Sequence, residues 1–238
     1  MDLIIYSASF SLILLFLFIP AKYFDNRLKL GAGILFAIYL GLDDIATVFP
    51  FLFPVLDLFD LRWNWEGKIY SILFSLLIIF APGLKKADIG FTFHYKNLKT
   101  SLWAVAGLTF ASTLLGVIFQ PGSPDAETIA FQLFMPGIAE ELAYRGIAPA
   151  ILISFVQGKN DSDFMPWSVI LLTAFAFGLW HGLGYSDGSF SFDTMSSLFP
   201  FIGGILYGWL RFHSGSLMFP ILAHGLGNTA FVLVTLLL

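Results

Sequence analysis

Long apolar runs separated by short polar stretches set the pattern of the chain. A helix crossing a ~30 Å hydrocarbon core needs roughly 20 apolar residues. The first run, 3–21, has no basic leading segment and follows Asp2, so it reads as a retained helix and not a signal peptide. The second, 30–56, carries Asp43 and Asp44 in its middle and Pro50 and Pro54 towards its end. It predicts one pass near 30–50 with a Pro-kinked continuation, a re-entrant hairpin being the alternative. The polar piece 57–68 holds Trp63 and Trp65, amphipathic rings suited to a membrane–water interface. Further passes are expected at 69–84, 101–119, 127–156, 167–181, 194–212 and 216–238. A lysine-bearing loop at 85–100, a polar loop at 157–166 and a Gly/Ser/Asp loop at 182–193 separate them. The expected fold is an all-α, polytopic membrane bundle of about eight transmembrane helices, one integral domain over 1–238.

Composition narrows the class. The 238 residues are 58% hydrophobic and 12% charged, with 28 Phe; soluble domains carry about 25% charged residues. This excludes a soluble enzyme, a disordered tail and a disulfide scaffold. Cysteine is absent, which excludes thiol catalysis and thiolate metal sites. A net charge of −4 without a basic run gives no reason to expect nucleic acid. Nine Lys and Arg fall on the odd-numbered loops, counting Arg211 with the last of them, and only Arg62 and Lys68 on the even-numbered ones. That bias predicts odd loops inside and both termini outside; a hairpin at 30–56 would reverse it from there on.

Ionisable residues at membrane depth are costly, so each is a functional candidate. The candidates are Asp43, Asp44, Glu140, Glu141, Arg145, His181 and His224, with Asn228 as a polar companion. Glu141 and Arg145 are four apart, acid first, which favours pairing on one helix face. At 3.6 residues per turn, Glu140 points about 100° from Glu141 and about 140° from Arg145. Every remaining Lys and Arg is read as lying in a loop or at a helix end, so Glu140 is expected to lack a cationic partner. Such an acid is a candidate general base. Phe177 and His181 share a face of the sixth pass, and His224 and Asn228 a face of the eighth. Gly178, Gly182, Gly225 and Gly227 allow close helix approach. Asp43 and Asp44 read as a helix end or the edge of a hydrated cavity.

Glu140-Glu141-x-x-x-Arg145, Phe177-x-x-x-His181 and His224-x-x-x-Asn228, in this order on three late helices, resemble the three motifs of the CPBP family. This family holds the type II CAAX prenyl endopeptidases and the bacteriocin-processing and self-immunity proteases. The resemblance covers roughly 127–238, and Gly146 after Arg145 fits it too. It implies an intramembrane peptidase whose cavity lies among these helices, acting on a membrane-embedded or lipidated peptide. The short chain suits a prokaryotic cell membrane.

Two chemistries fit these residues. In one, Glu140 deprotonates a water held by His181, and His224 and Asn228 stabilise the oxyanion. Glu141 and Arg145 support the helix geometry beside Phe177. In the other, Glu140, His181 and His224 hold a divalent metal such as zinc, although no H-E-x-x-H helix is present. Three readings rank lower. Gly184-Tyr185-Ser186-Asp187-Gly188 matches G-x-S-x-G outside the strand–turn–helix context that motif needs. Asp43 and Asp44 are adjacent and cannot oppose each other as an aspartyl dyad. A transporter, or a non-enzymatic binding or immunity protein, would use the same Glu/His set as a relay or scaffold.

Overall fold

The computed structural model describes residues 2–80, 84–154, 156 and 165–238. Helix α1 (Asp2–Phe24) is followed by α2 (Leu30–Leu52), which runs unbroken through Asp43 and Asp44 and includes Pro50 in its last turn. The hairpin alternative therefore does not hold. A 3₁₀ turn (Pro54–Leu56) leads to α3 (Trp65–Ile79), where Asn64 caps the Gly67 amide at 2.9 Å. A short α4 (Lys86–Ile89) ends at Gly90, whose φ of 79° only glycine adopts freely. Next come α5 (Leu98–Phe119) and α6 (Ala126–Glu141). The chain continues helically through a π-helical turn (Leu142–Ile147) into α7 (Ala148–Ile153). Helix α8 (Trp167–Gly182) precedes strands β1 (Leu183–Ser186) and β2 (Ser189–Phe192). Helices α9 (Thr194–Ser214) and α10 (Met218–Leu233) complete the bundle, with a final 3₁₀ turn at Val234–Leu237.

The fold is helical, as the apolar runs require, with a single two-stranded hairpin among the described residues. Four helices are long and apolar enough to cross a membrane by length and composition: α1, α2, α5 and α10 with its 3₁₀ extension. The expected loop at 182–193 is an antiparallel hairpin. Asp187 (φ 51°) and Gly188 (φ 76°) supply the two positive φ values of its tight turn. Ser186 lies on its exposed edge, so the G-x-S-x-G match has no nucleophile elbow. Most of the polar loop expected at 157–166, including Lys159, lies outside the described residues.

Helix α2 packs between α1 and α3, α8 lies along α9, and α10 packs on α5 and α6. Helices α1 and α5 are outermost, presenting Phe16, Trp103 and Ile118 outward. The centre is the end of α6 with the π turn and α7, where residues 139–153 are all buried. Phe10, Leu14 and Phe36 from the first two helices close on this centre with Leu152 and Phe177. Lipid is as apolar as these side chains, so close van der Waals packing must hold the helices together. Two glycines allow it where it matters most. A Cβ on Gly137 would sit 2.9 Å from the Ile221 carbonyl oxygen, and one on Gly225 would collide with the Leu133 carbonyl. Backbones of α6 and α10 thus touch one turn from Glu140, Glu141 and His224.

Several loop or boundary expectations are corrected. Asp43 and Asp44 are buried in the body of α2, at no helix end. Lys68 is buried in the first turn of α3. Arg211 is buried in α9, donating to the carbonyls of Ile89 (3.1 Å) and Asp88 (2.9 Å) at the C-terminal end of α4. Neither cation counts as a loop charge. Trp63 and Trp65 also pack on α6: Trp63 stacks on Phe131 at 4.9 Å, and Trp65 meets it edge-on at 5.4 Å.

Candidate active site

Glu140 and Glu141 leave the last turn of α6 side by side, and helix geometry sends them to different partners. Glu141 Oε1 accepts from Arg145 Nη1 at 3.1 Å, the pair anticipated from the four-residue spacing. It also receives His224 Nδ1 at 2.7 Å. Arg145 Nε and Nη2 have no hydrogen-bond partner among the described residues. The guanidinium lies instead 4.2 Å from the Phe177 ring centre and 5.6 Å from that of Tyr207, a cation–π contact strengthened by burial.

Glu140 is not unpartnered. Lys68 Nζ meets its Oε1 at 2.7 Å, with both groups buried. This overturns the expected lone acid, and the physical reason is tertiary: α3 inserts its first turn against α6. The other oxygen of Glu140, Oε2, lies 3.8 Å from His224 Nε2. One imidazole therefore spans both acids. An ionised carboxylate only accepts hydrogen bonds, so Glu141 fixes the proton on Nδ1 and leaves Nε2 facing Glu140.

His181 is less enclosed than expected. It is open to a cavity of about 740 Å³. Its Nδ1 is engaged with the Phe177 carbonyl at 2.9 Å, and its ring packs edge-on against Phe177 (4.4 Å) and Trp180 (4.8 Å). Glu140 is within its electrostatic reach. Leu115, Phe119, Phe199, Leu206 and Tyr207 make the rest of that cavity largely apolar, and its volume falls within the ~300–1,000 Å³ range of ligand pockets. Asn228 also lines it, donating through Nδ2 to Gln132 Oε1 at 3.0 Å. Beyond Asn228, a second cavity of about 500 Å³ is walled by Arg62, Trp63, Pro124 and Gln132. Asp125 at its rim caps α6. Hydrogen bonds from the Thr128 hydroxyl and amide, then Arg62, hold its carboxyl below the usual carboxylate range.

The structure thus brings Glu140, Glu141, Arg145, Phe177 and His224 into one buried cluster, with His181 and Asn228 on the adjoining cavity. Sequence reasoning missed Lys68, Gln132, Tyr207 and Trp180. Lys68 stands one residue before an apolar run, and its position before Ile69 was the one available signal.

No group of three His, Asp or Glu side chains among the described residues is arranged to hold an ion. Glu140 Oε1 already faces an ammonium group.

Residues 122–230, which contain all seven motif residues, match the family model described as type II CAAX prenyl endopeptidase Rce1-like. Over those residues the chain is similar to the CPBP family. No curated protein and no solved structure matches the chain. That family is a protease family, and the four long apolar helices support a membrane protein. Residues 2–80, which supply Lys68, Asp43 and Asp44, lie outside the matched stretch.

Proposed function

We propose that the protein is a multi-pass intramembrane endopeptidase of a prokaryotic cell membrane, cutting near the C-terminus of a lipidated, CAAX-type peptide by glutamate-activated water. The observation that carries this reading is the 3.8 Å approach of Glu140 Oε2 to His224 Nε2, behind which Glu141 holds the imidazole. A water placed off the line between these atoms reaches both at ordinary hydrogen-bond length, ~2.8 Å. Glu140 takes a proton from this water as the water oxygen attacks the scissile carbonyl, and passes it to the leaving nitrogen as the C–N bond breaks. His181, at the cavity wall, steadies the water from the substrate side. Asn228 Nδ2 donates to the developing oxyanion, joined by His224 Nε2 when the ring is an imidazolium and both its nitrogens carry protons; donors of this kind are worth about 10²–10³ in rate. The apolar cavity beside His181 suits a lipid chain or an apolar peptide segment.

Magnitudes favour chemistry over stability as the reason for these charges. Replacing a buried ion pair by apolar groups of similar volume is often neutral or stabilising by about 1–4 kcal/mol. A chain with only 12% charged residues nevertheless buries Lys68, Glu140, Glu141 and Arg145 together.

The test is cleavage of a fluorogenic peptide bearing an S-prenylated cysteine by protein in lipid nanodiscs, with the product bond identified by mass. Wild type is expected to cut and Glu140→Gln to be inactive while still reaching the folded state. Equal turnover by Glu140→Gln would remove Glu140 from the chemistry.

A further inference from the structure

Lys68 has no part in the motifs, yet it touches the group on which the proposed chemistry depends. The Lys68 ammonium sits 2.7 Å from Glu140 Oε1. A lysine side chain is long and flexible, so something must hold it there. Its ammonium lies 4.9 Å from the Trp180 ring centre. The Trp180 indole N–H donates to Asp44 Oδ1 at 2.6 Å, and Ser7 of α1 donates to Asp44 Oδ2 at 2.5 Å. One turn along α3 from Lys68, Ser71 donates to Asp43 Oδ1 at 2.8 Å. Asp43 and Asp44 are both within electrostatic reach of Lys68. Helices α1, α2, α3 and α8 thus converge to place one ammonium on one carboxylate oxygen.

We propose that Lys68 is a positioning residue for Glu140: it fixes Oε1 and so turns Oε2 towards His224 Nε2. This rests on the peptidase reading. A carboxylate on a two-carbon stem has several rotamers, and only those that keep Oε2 beside His224 present it to a shared water. With Oε1 pinned, those rotamers dominate. Asp43 and Asp44 supply the negative surroundings that keep the ammonium in place without touching Glu140 themselves. The stretch that matches the family is then incomplete without residues from outside it.

The experiment uses the full chain in nanodiscs with the same prenylated peptide. In Lys68→Ala, kcat is expected to fall on the order of 10²-fold, the scale set by ångström-level misplacement, while KM stays within about threefold. Added ethylammonium should restore part of the lost kcat with saturation, and Lys68→Arg should lie between. Wild-type kcat in Lys68→Ala, a loss confined to KM, or a folded Lys68→Ala that no amine rescues would overturn the proposal. Lys68→Met, close in shape and apolar, serves as the fold control. If it and Lys68→Ala both fail to fold, the pair is purely structural and the proposal falls. A cryo-EM structure of Lys68→Met gives a reading independent of activity. Glu140 Oε2 should leave hydrogen-bond reach of a water shared with His224, and retention of the 3.8 Å approach would contradict the proposal. Failure of the peptidase reading looks different: wild type itself cuts nothing.

Discussion

The two halves of the chain treat their buried charges differently. Residues 122–230 contain a local pair: Arg145 answers Glu141 from one helical turn away, and Phe177 offers its ring face and its carbonyl to Arg145 and His181, while His224 reaches Glu141 from 83 positions on. In the preceding half almost nothing is local. Lys68 answers Glu140 across 72 positions, Asp44 answers Trp180 across 136, and Ser7 answers Asp44 across 37. A local pair forms wherever its helix forms, and it travels with the motif. A distant pair exists only once several helices have packed. The first kind is a property of one helix; the second is a property of the packed bundle.

Breaking the local pair should have the largest effect. Arg145→Met leaves Glu141 buried beside His224 without its cation, and uncompensated buried charges of this kind cost about 3–5 kcal/mol. Thermal unfolding in detergent should show a large loss of stability. Wild-type stability in this variant would mean that the local pair contributes little to the fold.

Cutting a cross-half tie should cost less. Trp180→Phe keeps an aromatic ring for Lys68 but removes the indole donor to Asp44, which was 2.6 Å away. Leaving such a buried acceptor short of a partner costs about 1–3 kcal/mol. If Trp180→Phe matches Arg145→Met in cost, the two halves are equally dependent on their pairs and the contrast disappears.

The smallest effect belongs to the exposed rim. Asp125→Ala removes the α6 cap and the Arg62 pair. The Asp125 carboxyl is depressed by the Thr128 hydrogen bonds. Its contribution is therefore complete above the ordinary carboxylate range and fades as pH falls through its lowered value. Melting curves of variant and wild type should differ slightly at neutral pH and converge in acid; a gap that widens in acid would reverse this sign.

The same contrast explains what was legible. Helix positions followed from apolar run lengths, and Glu141 with Arg145 from helical spacing, because both depend on neighbours within a turn. The hairpin was legible in principle: Leu183 and Tyr185 alternate with small polar residues before Asp187-Gly188, but its shortness hid it. The π turn at Leu142–Ile147 has no pattern of its own in the apolar run. Lys68 was assigned to a loop because it stands at the edge of an apolar segment, and periodicity does not say how far α3 reaches into the bundle. Asp43 and Asp44 were recognised as out of place, yet their partners Ser71, Ser7 and Trp180 come from three other helices. Spacing along one helix identifies none of them.

The central claim is that the reacting carboxylate is held by a lysine from the other half of the chain. A double-mutant cycle on stability with Lys68→Met and Glu140→Gln tests it directly, without reference to any substrate. Each single variant is expected to destabilise the protein. The double variant should be more stable than their sum predicts, by a coupling within the ~0.5–3 kcal/mol seen for contacting residues. Additive effects would contradict the account, because they would mean that Lys68 and Glu140 do not act on each other in the folded protein.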